Sequence, residues 1–244
     1  MSQPADNPPL IYVPGLDGTG RLLFRQNALE RQYTLFCESY PQDRPQTYEE
    51  LADAAARTLQ ENADRPAIVL GESFGGAVAL TLALRHPQLV ERLVLVNTFA
   101  RYPARFRIRL ASFFGRLLPR RPSHPVTRGI RSPFFFSPDV PKEVRDAWWD
   151  RTDDVPMRAF GYRLRLIVEL DLRSRLREIH RPALVLAAPN DRVVHPKAGR
   201  ELARLLPNAH LLELPVGHAA MVHPDVDIAA MLAEPSYWGE GIEN

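Results

Sequence analysis

Cysteine is almost missing from this chain: Cys37 is the only one in 244 residues. A single thiol excludes an intramolecular disulfide and any cysteine-rich metal site, and it permits a reducing compartment. Long apolar runs are missing too, since no stretch approaches the ~18 residues that a membrane span requires. Met1 to Pro9 has neither a basic n-region nor an apolar h-region, so the expectation is a cytoplasmic protein without a secretory signal. There is no internal repeat and no low-complexity segment apart from a local enrichment in arginine. What is present is an ordinary globular balance, 45% apolar and 25% charged, which rules out a disordered tail, a collagen-like chain and a coiled coil. The length fits one or two domains that need no covalent staples.

Net charge is only +2, but it is unevenly spread. Residues Arg101 to Arg181 hold eighteen Arg and one Lys against nine acids, a local +10 on a frame of −8. A basic middle on an acidic frame marks a compositional boundary and bears on partners.

Short apolar runs alternate with helical patterns. Leu10 to Val13, Ala67 to Leu70, Leu93 to Val96, Ala183 to Leu186 and Leu211 to Leu214 read as strands, with Tyr33 to Ser39 a weaker sixth. Thr47-Tyr48-Glu49-Glu50 is a capping box that opens a helix reaching about Glu61. Gly75 to Arg85, Pro196 to Leu206 and Val226 to Leu232 complete the helical segments. Strands apolar on both faces and separated by helices predict a mostly parallel α/β sheet. From Thr98 to about Pro182 no strand pattern appears, and eighty residues is too long for a loop. The reading is a core of residues 1–99 and 182–244 with a helical cap inserted at 100–181.

Gly71-Glu72-Ser73-Phe74-Gly75 fits G-x-S-x-G between a strand and a helix, the setting in which a nucleophilic serine is presented on a sharp turn. A serine hydroxyl needs a base to take its proton. His218 and Asp191 lie just beyond the last two strands, in the chain order Ser, acid, His, so all three reach one sheet edge. His218 would be the general base, and Asp191 would hold its tautomer and stabilise the imidazolium. The oxyanion would be met by the backbone N–H of Phe74 and by one from the loop Pro14-Gly15-Leu16-Asp17-Gly18-Thr19-Gly20, with Leu16 the expected donor. That loop has neither G-x-G-x-x-G spacing nor the lysine of a P-loop, which argues against a nucleotide. His86, His195, His210 and His223 read as structural histidines. His218 and His223 are five apart with no third ligand in sequence, so no metal is expected.

These motifs, P-G-L-D-G-T-G with Tyr40-Pro41-Gln42-Asp43, G-E-S-F-G-G, Asp191 and Gly217-His218, resemble the α/β-hydrolase superfamily. Within it they are similar to bacterial serine esterases and plant phytyl ester synthases. The resemblance spans residues 10 to 225 and implies a Ser-His-Asp acyl hydrolase or acyltransferase with a helical cap and no cofactor. Two features depart from it. Pro14 stands where many members carry histidine, and the usual first two strands have no room before Leu10.

In the cap, Phe106, Leu110, Phe113, Phe114 and Leu117 fall on one helical face flanked by Arg105, Arg109, Arg116, Arg120 and Arg121. Three readings stand: a solvated cap over an apolar pocket, an amphipathic helix on an anionic lipid surface, or arginines that grip an acidic carrier such as phosphopantetheine or coenzyme A. The related pimeloyl-carrier methyl esterases use a basic cap in the last way. No nucleic-acid motif accompanies the charge. The expected activity is hydrolysis of a small apolar acyl ester through an acyl-serine. Thioester hydrolysis or acyl transfer shares the chemistry, a serine C–C hydrolase does as well, and a silent ligand-binding relative of the fold is the alternative of another class.

Overall fold

The computed structural model describes residues 7–103 and 125–238. Six strands form one fully parallel sheet: β1 (Pro9–Val13), β2 (Thr34–Cys37), β3 (Ala67–Glu72), β4 (Val90–Val96), β5 (Ala183–Ala187) and β6 (Ala209–Glu213). Their spatial order is β2-β1-β3-β4-β5-β6. Strands β1, β3 and β5 are buried at every residue, as their continuous apolar runs require. The edge strands β2 and β6 are only half-buried, because each lacks a neighbour on one side.

Helix α2 (Tyr48–Asn62) begins at the predicted capping box, with both reciprocal Thr47–Glu50 bonds formed. Its apolar stripe, Leu51, Ala52, Ala55, Ala56 and Leu59, packs on the sheet together with α3 (Phe74–Arg85), which is buried over its first ten residues. His86 ends α3 and bonds Asp53 of α2 at 2.7 Å, which ties the two helices together. Helix α7 (Lys197–Leu205) completes this face, and α8 (Ile228–Leu232) covers the other. The short α1 (Asn27–Gln32) carries a single buried apolar residue, Leu29, too little for periodicity to reveal.

Between β4 and β5 the described residues form α4 (Pro125–Phe135), α5 (Lys142–Asp150) and α6 (Met157–Glu169), with no strand among them. An aromatic cluster holds α4 and α5 together. Trp148 and Trp149 meet edge-on at 4.8 Å, and both touch Phe135 and Phe136. The amphipathic face from Phe106 to Leu117, with its flanking arginines, lies outside the described residues. Among the described residues no helix is long and apolar enough to cross a membrane.

The strand order fixes where a ligand can bind. After β1 the chain moves outward to β2 and then returns to the other side of β1 as β3. Loops leaving the carboxyl ends of β1 and β3 therefore diverge and open a crevice between them. The loop after β1 is Pro14 to Gly20, and the residue after β3 is Ser73.

Candidate active site

Ser73 sits between β3 and α3 at φ 53°, ψ −117°, a backbone conformation that L-residues avoid. Close packing maintains it. A Cβ on Gly75 would collide with the carbonyl oxygens of Val13 and Pro14, and one on Gly76 with the Thr98 side chain. Ser73 N–H donates to Val96 O at 2.9 Å, and Thr98 Oγ1 donates to Ser73 O at 2.5 Å. The turn is thus clamped from β1 and β4, and Ser73 remains partly exposed.

The structure brings Ser73, His218 and Asp191 together. His218 Nε2 lies 3.1 Å from Ser73 Oγ, and His218 Nδ1 lies 2.7 Å from Asp191 Oδ2. A carboxylate only accepts, so Nδ1 carries the proton and Nε2 is left to accept from the serine hydroxyl. The other Asp191 oxygen accepts from the N–H groups of Val193 (2.7 Å) and Val194 (2.9 Å), which fixes the carboxylate in place. Burial opposes a charge on His218, but the charge and hydrogen bond of Asp191, with the charge of Glu72, outweigh it and raise its pKa above the ordinary 6.5. The His218 loop is seated on α4: Ala219 N–H donates to Phe135 O at 2.9 Å, and a Cβ on Gly217 would come within 2.7 Å of that oxygen.

Three further residues, not singled out by the sequence motifs, build the site. Asn97 follows β4 at φ 47°, donates to the carbonyls of Gly217 (3.2 Å) and His218 (2.9 Å), and accepts from Ala188 N–H at 2.9 Å. One amide thereby ties the loop bearing His218 to the strand end that leads to Asp191. Its sequence signal is a polar residue placed directly after a buried apolar strand. Glu72 is buried and accepts from Tyr12 Oη at 2.8 Å. Burial drives its pKa up to about 7, against the lowering effect of the Tyr12 bond.

Arg163 is the third. It is 1% exposed, on α6, and Nη1 donates to the carbonyls of Leu16 (2.8 Å) and Asp17 (2.9 Å) while Nη2 donates to Pro41 O and Gln42 Oε1 (both 3.2 Å). Its guanidinium also lies over Tyr40, whose hydroxyl donates to Pro14 O at 2.8 Å. Arg163 and Tyr40 therefore support the loop after β1. Gly18, at φ 64°, leaves room for that guanidinium. The signal in sequence is an arginine on the apolar stripe of α6, between Phe160, Leu164 and Ile167.

Ser73, His218, Leu16 and Gly15 share a cavity of about 170 Å³. Aromatic and aliphatic side chains from the helices between β4 and β5 line it, chiefly Phe135, Trp148, Trp149, Phe160, Leu164 and Ile167. Phe74, the other residue expected to offer its amide, is the first residue of α3, where backbone N–H groups lack intrahelical acceptors. Elsewhere, Asp139, His223 and Asp225 come together. Both His223 nitrogens already have protein partners there, Nε2 with Asp139 at 2.7 Å and Nδ1 with the Asp225 N–H at 3.1 Å.

The model of the alpha/beta hydrolase family matches residues 10–231. Polyketide synthase ThaQ of Burkholderia thailandensis is 31% identical in an alignment of 250 positions that covers 93% of this chain but 12% of that protein, so the chain spans only a small part of that relative. The pimeloyl-[acyl-carrier protein] methyl ester esterase of Chromobacterium violaceum is 29% identical in an alignment of 206 positions that covers 75% of each chain. Among solved structures, a hydrolase from Pseudomonas aeruginosa PA01 superposes with a TM-score of 0.80 at 25% identity, covering 90% of this chain and 86% of that one.

Proposed function

Since this chain belongs to the alpha/beta hydrolase family and is an esterase-like hydrolase, we propose that it cleaves carboxylic esters of apolar acyl groups through an acyl-serine formed on Ser73. The observation that carries this reading is the continuous Asp191–His218–Ser73 hydrogen-bond chain opening into an apolar cavity. His218 Nε2 takes the Ser73 proton as Oγ attacks the ester carbonyl. The oxyanion is received by the N–H groups of Leu16 and Phe74. Collapse expels the alcohol, which takes the proton from His218, and water then repeats the sequence on the acyl-serine to release the acid. Residues 1–99 and 182–244 serve as the core and 100–181 as the cap. A p-nitrophenyl ester should give a burst of one p-nitrophenol per active site, and a fluorophosphonate should label Ser73. A folded protein that the probe leaves unmodified would instead be a ligand-binding relative.

A second reading is supported by the carrier-protein esterase among the relatives and by the basic composition of residues 101–181. In it the acyl group arrives on an anionic carrier, as a coenzyme A thioester or from a lipid surface. Hydrolysis of the carrier-linked ester should then weaken steeply with salt while that of a small neutral ester does not. We place the protein in the cytoplasm, consistent with its single cysteine.

Two smaller predictions arise here. Glu72→Gln keeps an acceptor for Tyr12 and removes a negative charge that favours protonated His218. The base works only when neutral, so kcat/KM rises with pH through the His218 pKa, and the acid limb of the native profile should lie above 6.5. In Glu72→Gln that limb should move to lower pH. The native Glu72 pKa, raised to about 7, contributes stability below its unfolded value that is lost as pH rises through about 7. The Gln variant should therefore lose less stability than the native protein over that range, in urea melts at several pH values.

Arg163 is a positioning residue for the Leu16 amide. Arg163→Met should lower kcat by roughly 10- to 100-fold with a smaller change in KM, since transition-state support is what the loop supplies. Partial rescue of kcat by added guanidinium would separate positioning from general destabilisation. A proportional loss of active protein, with normal kcat per labelled serine, would refute it.

A further inference from the structure

We propose that Arg131 is an anion-binding subsite of the acyl cavity, so that the preferred esters carry a carboxylate joined to the scissile bond by a short apolar spacer. This rests on the esterase reading and names its substrate class.

Arg131 projects from α4 into the wall of the cavity that holds Ser73 and His218, and it also borders the outer basin lined by Arg192, His195 and Lys197. Neighbouring guanidinium groups are engaged by the protein. Arg128 pairs with Asp150 and Asp153, Arg151 donates to Ala147 O, and Arg163 donates to four acceptors. Arg131 has no ion pair or hydrogen bond among the described residues. It is held instead by aromatic faces, with its Cζ 5.3 Å from the Trp149 ring and 5.7 Å from that of Phe135. Burial acts on its pKa, downward, and no carboxylate among the described residues offsets it. Neither ring supplies an oxygen acceptor, so the guanidinium N–H donors are left for a bidentate oxyanion. A part-buried cation without a counter-charge is costly, and an incoming carboxylate removes that cost.

The cavity is polarised. Its carboxyl groups, Glu72 and Asp17, belong to the residue before Ser73 and to the Leu16 loop, so the reacting end is acidic. A free carboxylate is repelled from that end and drawn to Arg131, which orients the ester bond toward Ser73. The spacer is short because one ring separates the two functions: Phe135 lies 5.7 Å from the Arg131 Cζ and 5.6 Å from the His218 ring. Arg192 and Lys197 line the adjoining basin with Arg131, beside the single carboxylate Asp191, and an excess of cations there attracts an anion.

The test uses monoesters of linear dicarboxylic acids and the matched ω-amides, which share the ester bond and differ in terminal charge. The native protein should favour acid over amide by roughly 10- to 100-fold in kcat/KM, the range for hydrogen bonds to a charged group. In Arg131→Met the acid-to-amide ratio should fall to about one, and Arg131→Lys should keep part of it. Equal rates for acid and amide in the native protein, or a ratio unmoved by Arg131→Met, would overturn the subsite while leaving esterase activity intact. Calorimetric binding of the free diacids to Ser73→Ala and to Ser73→Ala with Arg131→Met or Arg131→Lys needs no turnover. Loss of affinity with the arginine supports the subsite, and unchanged affinity overturns it. Diacid binding that depends on Arg131 in a protein whose Ser73 resists fluorophosphonate would keep the subsite and sink the hydrolase.

Discussion

Ser73→Ala is expected to reduce kcat/KM for p-nitrophenyl esters by roughly 10⁴- to 10⁶-fold and to abolish fluorophosphonate labelling. The loss is large because the alternative nucleophile, water, would have to occupy a site shaped around Oγ. Without Oγ the His218 imidazole, held at 2.7 Å by Asp191, has no hydroxyl to deprotonate. The fold should survive. Alanine suffers the same positive φ as serine, and the clamps on the turn are backbone bonds and glycine contacts that remain. Ser73→Gly should be as inactive yet more stable by about 1 kcal/mol, since glycine accepts that conformation without strain. Inactive variants that keep or gain melting temperature would separate chemistry from folding. Activity within tenfold of native in Ser73→Ala would refute the acyl-serine.

Asp191→Asn should cost roughly 10³- to 10⁴-fold in kcat through the tautomer of His218, a magnitude seen for the equivalent change in serine proteases. The two halves of the carboxylate have different partners. Oδ1 accepts from the Val193 and Val194 amides, and Oδ2 accepts from His218 Nδ1. An asparagine keeps its oxygen toward the two amides and turns its NH₂ toward the ring. That donor forces Nδ1 to accept, moves the proton to Nε2, and leaves nothing to take the proton of Ser73. Protein yield and melting should change little, because no group is left unpaired. With Asp191 gone, the main influence raising the His218 pKa is lost as well, and any residual activity should show its acid limb at lower pH than native. A variant with native kcat would show that Asp191 only caps its turn.

Much of this was legible in the residues alone. Parallel strands buried on both faces must be continuously apolar, so β1, β3, β4 and β5 were readable as runs; of the two half-buried edge strands, β6 kept a short apolar run and β2 was the faintest. The Ser73 turn was readable because a serine at positive φ needs glycines beside it, and the chain order of Ser73, Asp191 and His218 followed from loops at the carboxyl ends of successive strands. Only the tertiary structure decided which polar groups support that arrangement. Asn97 meets His218 across 121 positions, and Arg163 meets Leu16 across 147. Hydrogen bonds over such separations leave no periodicity, because each depends on a single side chain reaching a single carbonyl. The arginines show the same division. Their excess over acids is a property of composition, but whether a given guanidinium is already neutralised, as Arg128 is, or waits beside the cavity, as Arg131 does, is set by which carboxylates packing brings within reach.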